Sequence, residues 1–387
     1  MIRLLATALL IAYALVPSVG IDGYMQPYPQ RDGVTRIRAD QWHLGYLQVP
    51  TAQNISQGEG VVVAVPDTGV DEHPDLTHNL IEGTDIVPGG NGDGRADRNS
   101  HGTSMAGLIA AHGQGSRLGA LGIAPEAKIM PIMSSAANNM GSADDLAAGV
   151  EYATTHGADV ISISSSGGTS VRLIQAIKTA IAADIVVVAA AGNSPEDTFV
   201  GYPATEEGVL AVGGVDRNGV HAPVSVVGRE VDIAAPAVDI YSTSYDGKYS
   251  KGTGTSSATA IVAGAAALVR SKYPDLPAEE VVHRLTATAV DKGPPGRDDE
   301  YGYGVIDLVA ALTADVPPLG FESAAASAPV DGGGTTTAAA EPADEGDGGA
   351  TARGLATLGV IVAAGGAWAL IARRRRRGDD PPPRISR

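Results

Sequence analysis

The sequence predicts an α/β domain in three layers with a mostly parallel central sheet, and three observations carry that prediction. Residues 60–65, 127–133, 158–164, 185–191 and 208–215 are short runs rich in Val, Ile and Ala, bounded by Gly or Pro. They are continuously apolar rather than alternating, as strands covered on both faces are. Helical stretches separate them, notably 142–156 and 170–183, and parallel strands need such crossovers. Hydrophobic residues make up 44% of the 387 but aromatics only 4%, alongside 50 glycines. A core of Ala, Val, Ile and Leu with many tight turns suits layers packed on a sheet better than a helical bundle.

The first element in the chain is a targeting signal. Met1-Ile2-Arg3 leads into an apolar run, 4–16, and then Pro17-Ser18-Val19-Gly20. A basic start, a short apolar stretch and small residues at its end predict a secretory signal peptide over 1–20, an uncleaved anchor being the alternative. An N-terminal extension, 21–57, precedes the α/β domain at 58–314. Within the domain, Ser142 and Asp145 open the helix at 142–156 with the spacing of a capping box, Asp standing in for Glu. Residues 315–353 are mostly Ala, Gly, Thr, Pro and acidic residues in low-complexity order, a composition that builds no core and reads as a stalk.

The last elements are membrane signals. Residues 354–372 are the predicted transmembrane helix, because Leu355 to Ala372 is an uncharged, mostly apolar run long enough to cross a hydrocarbon core. The tail 373–387 opens with five arginines, Arg373 to Arg377, which belong on the cytoplasmic side. The expected protein is a single-pass cell-membrane protein with its domain outside and its C-terminus inside.

Composition excludes several function classes. The net charge is −17, and seven of the 27 basic residues lie beyond Ala372, so the domain itself is strongly acidic. Such a surface repels phosphate backbones, and no nucleic acid is expected as a partner. The absence of cysteine removes disulfides, thiol catalysis and cysteine-rich metal sites together.

Open parallel sheets bind ligands beyond the carboxyl ends of their strands. Three segments put reactive groups there. Val61 to Val65 is a strand running into Pro66-Asp67-Thr68-Gly69. Ser100-His101-Gly102-Thr103-Ser104 sets a histidine at the start of a small-residue helix. Gly254-Thr255-Ser256-Ser257-Ala258 does the same for a serine, ahead of an Ala-rich helix to about Lys272. A hydroxyl needs an imidazole to take its proton, and the imidazole needs a carboxylate to fix its tautomer and stabilise its charged form. Asp67, His101 and Ser256 are the candidates.

These segments resemble the signature blocks of the subtilase family, usually DTG, HGTxxAG and GTSxA, in the family's order. The resemblance spans roughly 58–312, with Gly122-Ile123-Ala124-Pro125, the AAAGN block ending at Asn193, and Tyr202-Pro203-Ala204 as further matches. It implies a subtilisin-like fold and a serine endopeptidase acting on protein or peptide substrates. Ser256 would attack the scissile carbonyl, His101 would serve as base and then acid, and Asp67 would orient His101. The amide of Asn193 and the Ser256 N–H would form the oxyanion hole.

Three features depart from the family's pattern. Pro66 precedes the Asp where an aliphatic residue is usual, and proline belongs at a strand's end. Ser164-Ser165-Ser166-Gly167 stand where the wall of the main specificity pocket usually reads S-L-G-G, which makes them the candidate substrate-binding residues. The helix after Ser256 lacks the family's proline. No cofactor is expected to be required. Residues 89–99, GGNGDGRADRN, resemble part of a calcium loop but lack a full ligand set, and read better as a solvated loop than as a structural calcium site. The remaining histidines show no zinc spacing, and no metal site is expected.

Residues 21–57 are too few for the usual folded subtilisin prodomain. The stretch Arg38-Ala39-Asp40-Gln41-Trp42-His43-Leu44 is similar to the N-terminal extension of mycosins, subtilases associated with type VII secretion. The overall layout is shared as well. The resemblance implies a type VII secretion membrane complex as partner. A general cell-surface subtilase processing envelope proteins, and a scaffold subunit with catalysis secondary, are the other readings.

Overall fold

The computed structural model describes residues 26–27, 33–88, 91–136 and 141–320, all within one compact unit, Met1–Ser323. The signal peptide at 1–20, the transmembrane segment 354–372, the basic tail and nearly all of the 315–353 stalk lie outside the described residues. Among the described residues no helix is long and apolar enough to cross a membrane.

The elements follow the expected alternation. After a two-residue strand β1 (Gln26–Pro27) come α1 (Gly33–Asp40), α2 (Trp42–Tyr46), α3 (Val49–Gln53), β2 (Val62–Asp67), β3 (Thr84–Asp85) and α4 (His101–Ala110). Then follow β4 (Lys128–Met133), α5 (Ala143–Thr155), β5 (Val160–Ile163), α6 (Val171–Ala182), β6 (Val186–Ala190) and β7 (Leu210–Val215). The chain continues through β8 (Ile233–Pro236), β9 (Ile240–Ser244), β10 (Lys248–Gly252), α7 (Thr255–Lys272), α8 (Ala278–Ala287) and α9 (Leu308–Thr313).

Seven strands form one sheet in the order β3-β4-β2-β5-β6-β7-β8, every neighbouring pair parallel. The continuous apolar runs are explained by two cores. In β6, Val186 and Val188 face the core shared with α4 and α7, whereas Val187 and Ala189 face the one shared with α5 and α6. Because strand side chains alternate, both sets must be apolar when both faces are covered. Helix α7 is buried from Thr255 to Val269, and its run of Ala and Gly lets it lie close under β5 to β8. The smaller antiparallel sheet, β1-β10-β9, lies outside this layer scheme.

Strand β2 is where the sheet changes direction of growth: β4 is added on one side of it and β5 on the other. A crevice opens at such a switch point, beyond the carboxyl ends of the strands. Pro66 does sit near the end of β2. It is registered opposite Ile132 of β4, and the β5 ladder covers only Val63 and Ala64, so the missing donor falls where β5 has already parted from β2. The capping box is present: the Ser142 hydroxyl accepts the Asp145 N–H at 3.1 Å, and the Asp145 carboxylate accepts the Ser142 N–H at 2.9 Å.

The extension is an integral part of the domain. Ile37, Val49 and Ala52 are fully buried in the α4–α7 core. Arg38 donates to the carbonyls of Gly119 and Leu118, both at 2.9 Å. Gln41 donates to Leu121 O and Tyr241 O and accepts the Leu121 N–H, at 2.8–3.1 Å. Trp42 donates to Val238 O at 3.1 Å, and Ser56 to Leu268 O at 2.9 Å. The loop held by Arg38 closes over Asp75, fully buried and accepting from Ala120 N–H, Gln114 and the Tyr249 hydroxyl.

Candidate active site

Asp67 is the last residue of β2 and only 6% exposed. His101 is the first residue of α4, and its Nδ1 lies 2.8 Å and 2.9 Å from the two Asp67 oxygens. A carboxylate can only accept, so Nδ1 carries the proton and Nε2 of the neutral ring is left with its lone pair. The helix reaches the strand end because residue 102 is glycine. A Cβ there would lie 2.1 Å from the Gly69 carbonyl oxygen and 3.2 Å from Asp67 Cβ.

Ser256 is the second residue of α7. Its backbone N–H lies in the first helical turn, where such groups have no intrahelical acceptor and the helix end is positive. The Ser256 hydroxyl donates to the Ser164 carbonyl at 2.8 Å, and the Ser164 hydroxyl donates to the Ser256 carbonyl at 3.2 Å. A hydroxyl has one proton, so it must swing from Ser164 toward an imidazole before it can be taken.

Asn193 follows β6. Its Oδ1 accepts the Thr255 N–H at 2.9 Å and the Thr255 hydroxyl at 3.1 Å. With the oxygen so engaged, the NH₂ end of the amide is the free end. The cleft, of about 280 Å³, is lined by Asp67, His101, Ser164 to Gly168, Ala190, Asn193, Tyr202, Thr255 and Ser256, and it extends past Ser134, Ser142 and Leu146. All the residues anticipated from the sequence, including Ser164, Ser165, Ser166 and Gly167, therefore line one crevice. None of residues 33–57 lines it. The Tyr202 phenol is pushed up by burial and by Glu206, whose carboxylate accepts its proton at 3.3 Å.

One functional neighbour is not evident from the motifs. Asp97, expected in a solvated loop, is 4% exposed beneath the start of α4. Its Oδ1 accepts from the Thr68 hydroxyl (3.0 Å), Asn99 N–H (2.8 Å) and Ser100 N–H (3.0 Å). Its Oδ2 accepts from the Thr103 N–H (3.0 Å) and hydroxyl (2.6 Å). Burial pushes this carboxyl up, and the hydrogen bonds pull it back. The Asp97 bond also holds Ser100 at φ 94°, a left-handed conformation that costs a non-glycine residue energy. An Asp a few residues ahead of a helix is the one sequence signal for such a cap.

Among the described residues no group of three or more His, Asp or Glu is gathered as metal donors. In the loop that resembles a calcium site, the N–H groups of Gly92 and Gly94 donate to Asp85 at the end of β3, and Asp93 is spent on the N–H of Arg95. His73 is fully buried. Its Nδ1 accepts the Asp75 N–H and its Nε2 donates to Lys248 O, so the ring is neutral and its 3.8 Å approach to the Asp75 carboxylate is not an ion pair. Burial lowers its pKa accordingly.

Residues 58–304 match the Subtilase family. The chain is 41% identical over 260 residues to subtilisin DY of Bacillus licheniformis, covering 66% of this chain and 92% of that protein. To subtilisin Savinase of Lederbergia lenta it is 39% identical over 272 residues, covering 70% and 97%. Among solved structures, MycP1 from Mycobacterium smegmatis superposes with a TM-score of 0.64 at 30% identity, covering 76% of this chain and 91% of that one. MycP3 of the type VII (ESX-3) secretion system superposes with a TM-score of 0.62 at 33% identity, covering 75% and 95%. On its family match, its relatives and its fold, the chain belongs to the subtilase family and is a subtilisin-type serine protease.

Proposed function

We propose that this protein is a membrane-anchored endopeptidase of type VII secretion, cleaving with Ser256 as nucleophile, His101 as base and Asp67 as its orienting carboxylate. The observation that carries the chemistry is the doubly accepted Nδ1 proton of His101, a tautomer that puts the basic lone pair on Nε2. Ser256 Oγ bonds to the scissile carbonyl carbon while its proton passes to His101 Nε2. The oxyanion receives hydrogen bonds from the Asn193 amide and the Ser256 N–H. Collapse breaks the C–N bond, and the same proton leaves on the amine. Water then repeats the cycle: its oxygen attacks the acyl ester, and Ser256 recovers its proton.

The secretion reading is supported by the likeness to MycP1 and MycP3 and by an extension packed on the domain rather than lining the cleft. Anchoring is supported by the apolar run 355–372 and the arginines behind it. An alkyl fluorophosphonate should label the full chain at Ser256, and Ser256→Ala should abolish the labelling. In the host, Ser256→Ala that leaves both secretion and processing of type VII substrates intact would sink the catalytic part of the reading. The full chain should resist carbonate extraction from membranes, whereas a chain ending at residue 353 should be released.

A further inference from the structure

We infer that Asp197 is a positioning residue that ties the oxyanion arm of the cleft to its specificity wall, so that one carboxylate governs both turnover and side-chain selection. The inference rests on the reading of Asn193 and Ser256 above and extends it to a residue outside the motifs.

Two segments flank Ser256. One runs from Ala190 to Asn193 at the end of β6, and the other is Ser164 to Gly168 after β5. With Ser164 to Gly167 taken as the wall of the specificity pocket, a substrate carbonyl held over Ser256 would send its own side chain between the two segments. Asp197 joins the two through a single atom. Its Oδ2 accepts the Asn193 backbone N–H at 2.8 Å and the Ser166 hydroxyl at 2.8 Å. Its own N–H returns to the Asn193 carbonyl at 2.7 Å, closing a tight loop from 193 to 197. The carboxylate fits because residue 192 is glycine: a Cβ there would lie 2.8 Å from Asp197 Oδ2. Further bonds brace the same walls, from Gly201 N–H to Ala191 O and from Gly167 N–H to Tyr202 O, both at 3.1 Å.

The consequence is mechanical. Thr255 fixes the Asn193 side chain from one side, and Asp197 fixes its backbone from the other. An oxyanion donor works only if it is already aimed at the developing charge, and a misplacement of about 1 Å costs about a hundred-fold in rate. The Ser166 hydroxyl, held by the same oxygen, cannot rotate to widen or line the cleft differently. Loss of Asp197 therefore loosens both walls together.

The test uses the full-length protein and peptidyl diphenyl phosphonates carrying either a methyl or a benzyl side chain beside phosphorus. These reagents place the P–O oxygen in the oxyanion hole and the side chain in the pocket, and they need no knowledge of the natural substrate. Asp197→Ala should lower the maximal rate of Ser256 phosphonylation about ten- to a hundred-fold and shift the methyl-to-benzyl preference. Asp197→Asn, whose amide oxygen accepts the same two bonds, should recover most of both, and thermal melts report folding of each variant. An Asp197→Ala protein with unaltered rate and preference, or an Asp197→Asn protein as impaired as it, overturns the inference. Asn193→Ala, run alongside, separates the two readings. If it too leaves the rate unaltered, the oxyanion assignment falls and takes the inference with it. If it is slow while Asp197→Ala is not, the inference alone falls.

Discussion

Thr68 and Asp97 are joined by a 3.0 Å hydrogen bond from hydroxyl to carboxylate, and through it the end of β2 is bolted to the start of α4. The same Thr68 oxygen accepts the Gly102 N–H at 3.0 Å, and the Thr68 N–H donates to Asp67 at 2.7 Å. Asp67 and His101 are thus held by a shared frame that neither of them forms alone.

Removing the carboxylate should therefore be felt twice. Asp97→Ala leaves the buried donors of Thr68, Ser100 and Thr103 unmatched and should cost about 2–4 kcal/mol of stability. It should also slow phosphonylation of Ser256, as Ser100 relaxes from its left-handed conformation and His101 moves with it. Urea denaturation and labelling rates measure the two effects; a stable variant with a normal rate would contradict the shared frame.

The oxyanion group makes a separate prediction. Asn193→Ala should lower kcat by about 10²–10³-fold with little change in KM. Thr255→Val removes only the hydroxyl that orients the amide, keeping the backbone bond, and should give a smaller loss in the same direction. Equal losses from the two substitutions would mean that Thr255 does more than orient the amide.

The extension should act as a clamp. Gln41 is 2% exposed and joined to Leu121 and Tyr241 by three bonds. Gln41→Ala should cost about 2–3 kcal/mol and leave the labelling rate per folded molecule unaltered. An increase in that rate would instead mark the extension as an inhibitor.

Acid should weaken the fold through His43, which is fully buried with neither ring nitrogen hydrogen-bonded, its pKa lowered by burial from 6.5 to about 3. The unfolded chain takes up the proton first. The stability from the neutral ring is complete above pH 6.5 and is lost as pH falls from there toward 3, at about 1.4 kcal/mol per pH unit in mid-range. Chemical denaturation between pH 7 and 4.5 should show a shallower acid loss for His43→Leu than for the unaltered protein. An identical slope would exclude His43 as a contributor.

Some of this was legible along the chain. Each anticipated strand from 60–65 to 208–215 exists, because a strand buried on both faces must be apolar at every position, and that is a local signal. Asp67, His101, Ser256 and Asn193 stood out because each occupies a short motif at an element's end. The short strands β8 to β10 and the helices of the extension were not legible, since partners far along the chain decide their pairing and burial.

What the sequence alone determined, then, is the order of layers and which residue types meet at the crevice. Tertiary structure decided the rest. Asp97 falls in a stretch that reads as a solvated loop and Asp197 in no motif at all, and their roles come from donors brought to them by other elements, Thr68 across 29 positions and Ser166 across 31. A carboxylate's role depends on what replaces its water, and only the folded chain supplies that.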